Sequence, residues 1–324
     1  MRSGCAKRRG PLGLALTAVC GLLLGLVTRA SAEPDPKTYW RASEIKPGMK
    51  GVGRTVMAGT MLEEFEAEVL GVLRDVSPGR DMVLCRLKGC RLEHSGIIQG
   101  MSGSPIYVDG TLLGAVAFAW EFAKDPIAGV TPFDQMLAYA RSNERRIAAE
   151  NRQDGGPVRS AAWGGSYLID DASGLQSMEP VPAFSGAMAG MRPIATPVTA
   201  AGFTPRVLSF LADRLGPLGM TASAGGGADE DIVRREGDKP LVPGAPLSIA
   251  YVTGDFDLSG IGTVTHVEGD RVYGFGHPMM SLGACEFPLM TGYIHTVYPR
   301  ASVSMKMGSP LKVVGVLDTD VSTG

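Results

Sequence analysis

The sequence predicts a mainly β protein made of two β-rich halves with a few connecting helices. Three observations carry that expectation. Gly (44) and Pro (22) make up about a fifth of the 324 residues, which favours short strands joined by turns over a helical bundle. Short apolar runs and period-two alternations recur over residues 51–119 and again over 246–317. Between them, residues 151–200 are rich in Gly, Ser, Ala and Pro and have little periodicity, as a long connection would. A composition of 44% hydrophobic and 20% charged residues excludes a disordered tail and a coiled coil.

The first 32 residues read as an export signal. Lys7-Arg8-Arg9 precedes an apolar run from Leu12 to Val27, and Ala30-Ser31-Ala32 has the small-residue pattern of a cleavage site. The run is shorter than the ~20 residues a membrane span needs. Membrane contact is therefore expected only through an uncleaved signal, and Cys20 lacks the surroundings of a lipid-anchored cysteine. Of the 31 Lys and Arg residues, five lie in this segment, which has no acid. Residues 33–324 therefore carry 26 basic against 33 acidic side chains, a net charge of −7. An acidic exported chain argues against a nucleic-acid partner. Periplasmic or extracellular residence after cleavage near Ala32 is the expectation.

The first β-rich half is placed at 33–140. Phe65-Glu66-Ala67-Glu68-Val69 alternates as a half-buried strand does, and Asp81–Leu84 and Leu112–Phe118 are denser buried runs. Ser77-Pro78-Gly79 and Asp109-Gly110 supply turns, the second with the strongest hairpin chemistry in the chain. A helix follows, with Thr131 as its cap, Pro132 in its first turn and Asp134 at the positive end of its dipole. Phe133, Met136, Leu137, Ala140 and Ile147 form its apolar stripe. A helix-containing linker is placed at 141–243, where Thr204-Pro205 opens a helix and Gly216 ends it. The second β-rich half, 244–324, holds strands at Pro246–Val252, Gly262–Thr265, Val272-Tyr273 and Leu311–Leu317. The chain stops soon after that last strand, as a fragment would.

Cys85, Cys90 and Cys285 remain after processing. Arg86-Leu87-Lys88-Gly89 reads as a hairpin turn that would let Cys85 and Cys90 bridge, and three buried free thiols are the alternative. The spacing fits no zinc ribbon. No P-loop, dinucleotide fingerprint, HExxH helix or EF-hand loop occurs, so no cofactor is implied. Asp255 and Asp257 offer too few oxygens for calcium, and a solvated strand end accounts for them.

The richest chemistry lies at Gly100-Met101-Ser102-Gly103-Ser104-Pro105. Small residues around a serine allow a tight turn that exposes its hydroxyl and lets backbone N–H groups face an oxyanion. This is the G-x-S-G-x-P layout of chymotrypsin-like peptidases, in which the N–H groups at the serine and two residues before it, here Ser102 and Gly100, form the oxyanion hole. It is not the G-x-S-x-G elbow, since Ser104 stands at the last glycine. The expected architecture is accordingly a chymotrypsin-like two-half β-barrel. A serine needs a base. His277, in Tyr273-Gly274-Phe275-Gly276-His277-Pro278, follows a strand at a glycine-rich turn. His94 competes, His266 reads as a strand-edge residue and His295 as a packed one.

The stretch Gly96–Ile106, with Gly110, Gly114-Ala115-Val116 and Asp125-Pro126, resembles the active-site segment of the SpoIVB-type serine peptidases. Gly260–Thr265 with Val272–His277 is similar to that family's histidine region. The resemblance implies Ser102 as nucleophile and His277 as general base. It departs in two respects. The histidine segment follows the serine segment where the family has it first. Leu87 stands at the position of the family's acidic member, fifteen residues before the serine. Asp81, Glu93 and Asp255 are the candidate replacements, and a Ser-His dyad is the alternative. The family's PDZ domain is not visible.

The resulting expectation is an exported serine peptidase that acts on a protein or peptide substrate through an acyl-enzyme. A non-catalytic, peptidase-like envelope scaffold or binding module is the rival. A serine esterase using the same residues on a smaller acyl group is a third reading.

Overall fold

A computed structural model describes residues 34–153 and 190–324. The expected export signal, including Cys20, lies outside the described residues. Among them, no helix is long and apolar enough to cross a membrane.

The first half closes into a six-stranded barrel. Its strands are β1 (Lys50–Val56), β2 (Leu62–Ser77), β3 (Arg80–Lys88), β4 (Pro105–Val108), β5 (Thr111–Trp120) and β6 (Ile127–Pro132). They run in the order β4-β1-β2-β3-β6-β5, and pairing of β4 with β5 completes the ring. All of these pairings are antiparallel. Closure removes the exposed edges that an open sheet of this size would leave. The inward residues of β2, Phe65, Ala67 and Val69, meet Val83, Cys85 and Leu87 of β3, Ile106 of β4, Val116 of β5 and Val130 of β6 in one buried cluster. β4 and β5 join at Asp109-Gly110, where both residues have positive φ (49° and 75°), the backbone a tight two-residue hairpin requires. A short strand, β7 (Met191–Pro193), adds to β5.

The second half is an open sheet. β8 (Thr196–Ala201), β9 (Met220–Ala224), β10 (Pro246–Val252), β11 (Asp257–Glu268), β13 (Gly283–Tyr298) and β14 (Met305–Asp320) run in the order β14-β13-β10-β11-β8-β9, and β12 (Arg271–Gly274) pairs with β11. Only β8 and β9 are parallel. A parallel neighbour requires a crossover, and α3 (Pro205–Leu215) supplies it. Region 141–243 thus contributes sheet strands as well as helices. The remaining α-helices among the described residues are α1 (Leu92–Ser95), α2 (Phe133–Gln153) and α4 (Glu230–Glu236).

Two local expectations change, and the choice left open for the cysteines is decided. β3 runs on to Lys88, pairing Arg86, Leu87 and Lys88 with Glu68, Ala67 and Glu66, so Arg86–Lys88 is strand rather than hairpin turn. Cys85, Cys90 and Cys285 are free thiols; Cys85 points into the barrel core, where burial pushes its thiol up to about 12. Thr131 belongs to β6 and does not cap α2. Its hydroxyl donates instead to Gly276 O at 2.6 Å.

That bond is one of several that join the two halves. The Thr263 and Thr265 hydroxyls of β11 donate to Gly100 O (2.8 Å) and Gly103 O (2.7 Å). Thr263 N–H donates to Ser102 O, and Gln99 and Met305 form a β-bridge. Val56, Ile261 and Ile294 make a small apolar cluster across the same junction. The barrel and the open sheet therefore meet at the serine turn.

Candidate active site

Gly96–Ser104 bridges α1 to β4 as a tight, buried turn. Met101 and Ile98 are fully buried and anchor it in the barrel core, which fixes its small residues between β5 and β11. Gly103 has φ +96°, and a Cβ there would lie 1.9 Å from Thr263 O and 2.6 Å from Phe275 N. Only glycine fits.

The backbone N–H groups of this turn divide into two sets. Those of Gln99, Met101, Gly103 and Ser104 donate to Ser304 O, Ile98 O, Val116 O and Met101 O. Those of Gly100 and Ser102 donate to no acceptor among the described residues. The Ser102 hydroxyl is fully buried and also without a partner. A buried polar group left unpaired costs about 1–3 kcal/mol, and such groups concentrate where a ligand completes the site.

His277 follows β12 through a second tight turn. Phe275 (φ 60°) and Gly276 (φ 73°) both adopt left-handed backbone there. His277 is 2% exposed, and its Nδ1 lies 2.9 Å from Pro278 O. A carbonyl only accepts, so this contact assigns the proton to Nδ1 and leaves a lone pair on Nε2. Nε2 is buried and has no partner. Burial lowers the pKa of His277, Arg80 adds to that, and the Pro278 carbonyl, the Asp320 charge and the Ile194 backbone oppose it. The net shift favours the neutral ring.

Both turns rest on the same short length of β5. Gly103 N–H and Ser104 O bond to Val116, while a Cβ on Gly276 would touch the flanking Ala115 and Ala117 side chains at 2.8 and 3.2 Å. The structure thus brings the Ser102 and His277 segments together from opposite halves of the chain. No hydrogen bond joins Ser102 Oγ to His277 Nε2.

The acidic candidates lie elsewhere. Asp81 is paired with Arg74 and accepts from Asp75 N–H. Glu93 is exposed on α1 and accepts from Gly89 N–H, which with its own backbone N–H lowers its pKa. Asp255 is exposed in the β10–β11 connection. The carboxylate that acts on His277 is Asp320, at the end of β14. It is 2% exposed and accepts from Met279 and Met280 N–H at 2.8 Å and from Leu282 N–H at 3.2 Å. It therefore holds the loop that carries His277. The other histidines are engaged or remote: His94 is exposed on α1, His266 meets Glu268, and His295 meets Ser309.

A second residue with no sequence motif, Lys306 of β14, lies behind the serine turn. It is 1% exposed, and its amine is 2.7 Å from Thr55 Oγ1. Its only signal in the sequence is a charge inside the apolar pattern Met305-Lys306-Met307. Among the described residues, no group of three or more His, Cys, Asp or Glu is placed to hold a metal. A cavity of about 370 Å³ opens beside β12, lined by Leu247, Ile249, Tyr273, Phe275 and Leu289 among others. Neither Ser102 nor His277 lines it, so the chemistry is located by the polar groups and not by the cavity.

Comparison with known families places residues 21–137 in a match to the family described as SpoIVB peptidase S55. The matched segment contains the serine turn and ends well before His277. No curated protein and no solved structure matches the chain.

Proposed function

We propose, for a chain whose serine-bearing segment belongs to the SpoIVB peptidase S55 family, the activity of an exported serine endopeptidase that hydrolyses a protein substrate through an acyl-enzyme. One observation carries this reading. Among the atoms left without partners at the junction of the two halves are a serine hydroxyl, an imidazole nitrogen and two backbone N–H groups two residues apart. Those are the nucleophile, base and oxyanion donors of acyl transfer.

In this mechanism Ser102 Oγ attacks the scissile carbonyl carbon while its proton passes to His277 Nε2. The carbonyl π pair becomes an oxyanion held by the N–H groups of Gly100 and Ser102. Collapse breaks the C–N bond, and the imidazolium gives its proton to the leaving amine. Water then repeats the sequence on the ester and restores Ser102. The buried, neutral imidazole suits the base role, and the Asp320 charge favours the imidazolium formed along the way. Ser102 is closed off from solvent, so substrate access requires the junction to open. The basic start, apolar run and Ala30-Ser31-Ala32 support export.

That closure favours one second reading, a non-catalytic envelope scaffold or binding module. Hydrolysis of an unfolded protein by the processed chain distinguishes them. The peptidase reading expects turnover that Ser102→Ala lowers by at least about a thousandfold. Equal, background turnover by folded wild type and Ser102→Ala assigns the scaffold.

A further inference from the structure

Lys306 is an uncommon residue to find behind a serine turn, and its contacts are specific. The backbone of β14 straps the turn from behind: Lys306 N–H donates to Gln99 O (3.0 Å) and Gln99 N–H donates to Ser304 O (2.9 Å). The Lys306 stem fills the space over Gly100, with its Cβ and Cδ each 3.2 Å from where a Gly100 Cβ would sit. The amine reaches past the turn to Thr55 on β1, and the Ser104 hydroxyl lies 3.2 Å from the same Thr55 oxygen. Lys306, Thr55 and Ser104 are all fully or almost fully buried.

Counting protons shows which state of the amine this chain of groups accommodates. With Lys306 neutral, Ser104 O–H donates to Thr55 Oγ1, and Thr55 O–H donates to the Lys306 lone pair. Each hydroxyl proton then has an acceptor. With Lys306 protonated, three N–H donors face a single hydroxyl oxygen. Thr55 Oγ1 accepts from the ammonium, the amine no longer accepts in return, and one of the two hydroxyl protons is left without an acceptor within the chain. Two titratable groups act on the amine. Cys90 favours its charge only as a thiolate, and burial holds that thiol protonated to about 11; Glu63 of β2 also favours the charge. Neither is hydrogen-bonded to it. Burial outweighs both and brings Lys306 down to about 7.

We propose that Lys306 is a positioning residue of the serine turn, the neutral terminal acceptor of a Ser104–Thr55–Lys306 chain that holds the turn in its competent shape. Protonation of the amine breaks the chain and loosens residues 100–104, so the site switches off as pH falls through neutrality. The consequence for catalysis rests on Ser102 being the nucleophile. The consequence for the turn does not.

The test follows the backbone directly. Amide hydrogen-exchange protection of Gly103 and Ser104, measured by NMR and corrected for intrinsic rate, is expected to fall at least about fivefold in wild type from pH 8 to pH 6. In Lys306→Met, which keeps the stem and removes the lone pair and charge, and in Thr55→Val, protection is expected to be lower and independent of pH. Flat protection in wild type, or the same fall in Lys306→Met, overturns the proposal. In parallel, the rate of fluorophosphonate labelling of Ser102 is expected to rise about fourfold from pH 6.5 to 8.5 in wild type, as a group near 7 loses its proton, and to lose that limb in Lys306→Met. Absence of labelling together with pH-dependent protection sinks the peptidase reading and leaves the switch. Labelling with flat protection does the reverse.

Discussion

Asp320→Asn is the most informative single substitution, because the two carboxylate oxygens do different work. Oδ1 accepts from the buried Met279 N–H, and Oδ2 accepts from Met280 and Leu282 N–H. Asparagine keeps one acceptor. In its better orientation it retains the Oδ2 pair and sets an NH₂ against Met279 N–H, a donor facing a donor. Hydrogen bonds to a charged group contribute about 1.5–3 kcal/mol, neutral ones about 0.5–1.5. One bond lost and two weakened, with the Leu282 contact discounted for its length and exposure, comes to roughly 3 kcal/mol. In a protein of this size that is a fall in Tm of about 4–5 °C. The same change removes a negative charge that raises the pKa of His277, so burial acts with less opposition. The imidazole titration, followed by NMR, should move to lower pH. A Tm within about 1 °C of wild type, or a His277 titration that moves upward, refutes the assignment of Asp320 as the residue that holds the histidine loop.

Other substitutions probe other parts of the junction. Gly103→Ala places a methyl against Thr263 O and in left-handed backbone, so a loss of about 3 kcal/mol or more in urea unfolding is expected; a loss under 1 kcal/mol contradicts the close approach. Lys306 has a folded pKa near 7 against about 10.5 unfolded, so the unfolded chain binds more protons between those values and wild type gains stability as pH rises through them. From pH 7 to pH 9 wild type should gain about 2 kcal/mol relative to Lys306→Met, and an unchanged difference shows that the amine is not buried. Cys85, buried and with its thiol at about 12, should stay unmodified by a thiol reagent in native protein and react on unfolding; native labelling contradicts its place in the barrel.

Much of the fold was legible where apolar runs are short and bounded by turns. Pro246–Val252 is a strand with those bounds, Asp109-Gly110 is a tight hairpin, and Thr204-Pro205 opens a helix whose first free N–H groups include one taken by Thr204 Oγ1. β13 left no legible pattern because its pairing with β14 shifts register at four points, which breaks the period-two alternation. Thr131 has the chemistry of a cap, but pairing in β6 and the contact with Gly276 take precedence over local preference. At the site, Gly100, Ser102 and His277 stand in motifs dense with glycine, because tight turns demand it. Asp320 and Lys306 lie on a long strand and reach the site only through folding, so no motif marks Asp320, and Lys306 shows only as a charge between two methionines.

The peptidase reading stands or falls with Ser102 as nucleophile and His277 as its base. Mapping a fluorophosphonate adduct by mass spectrometry on folded wild type, Ser102→Ala and His277→Ala measures it directly. The expected result is a single adduct on Ser102, absent from Ser102→Ala and slowed at least about a hundredfold in His277→Ala. An adduct on another residue, no adduct on folded wild type, or wild-type labelling rates in His277→Ala would contradict it.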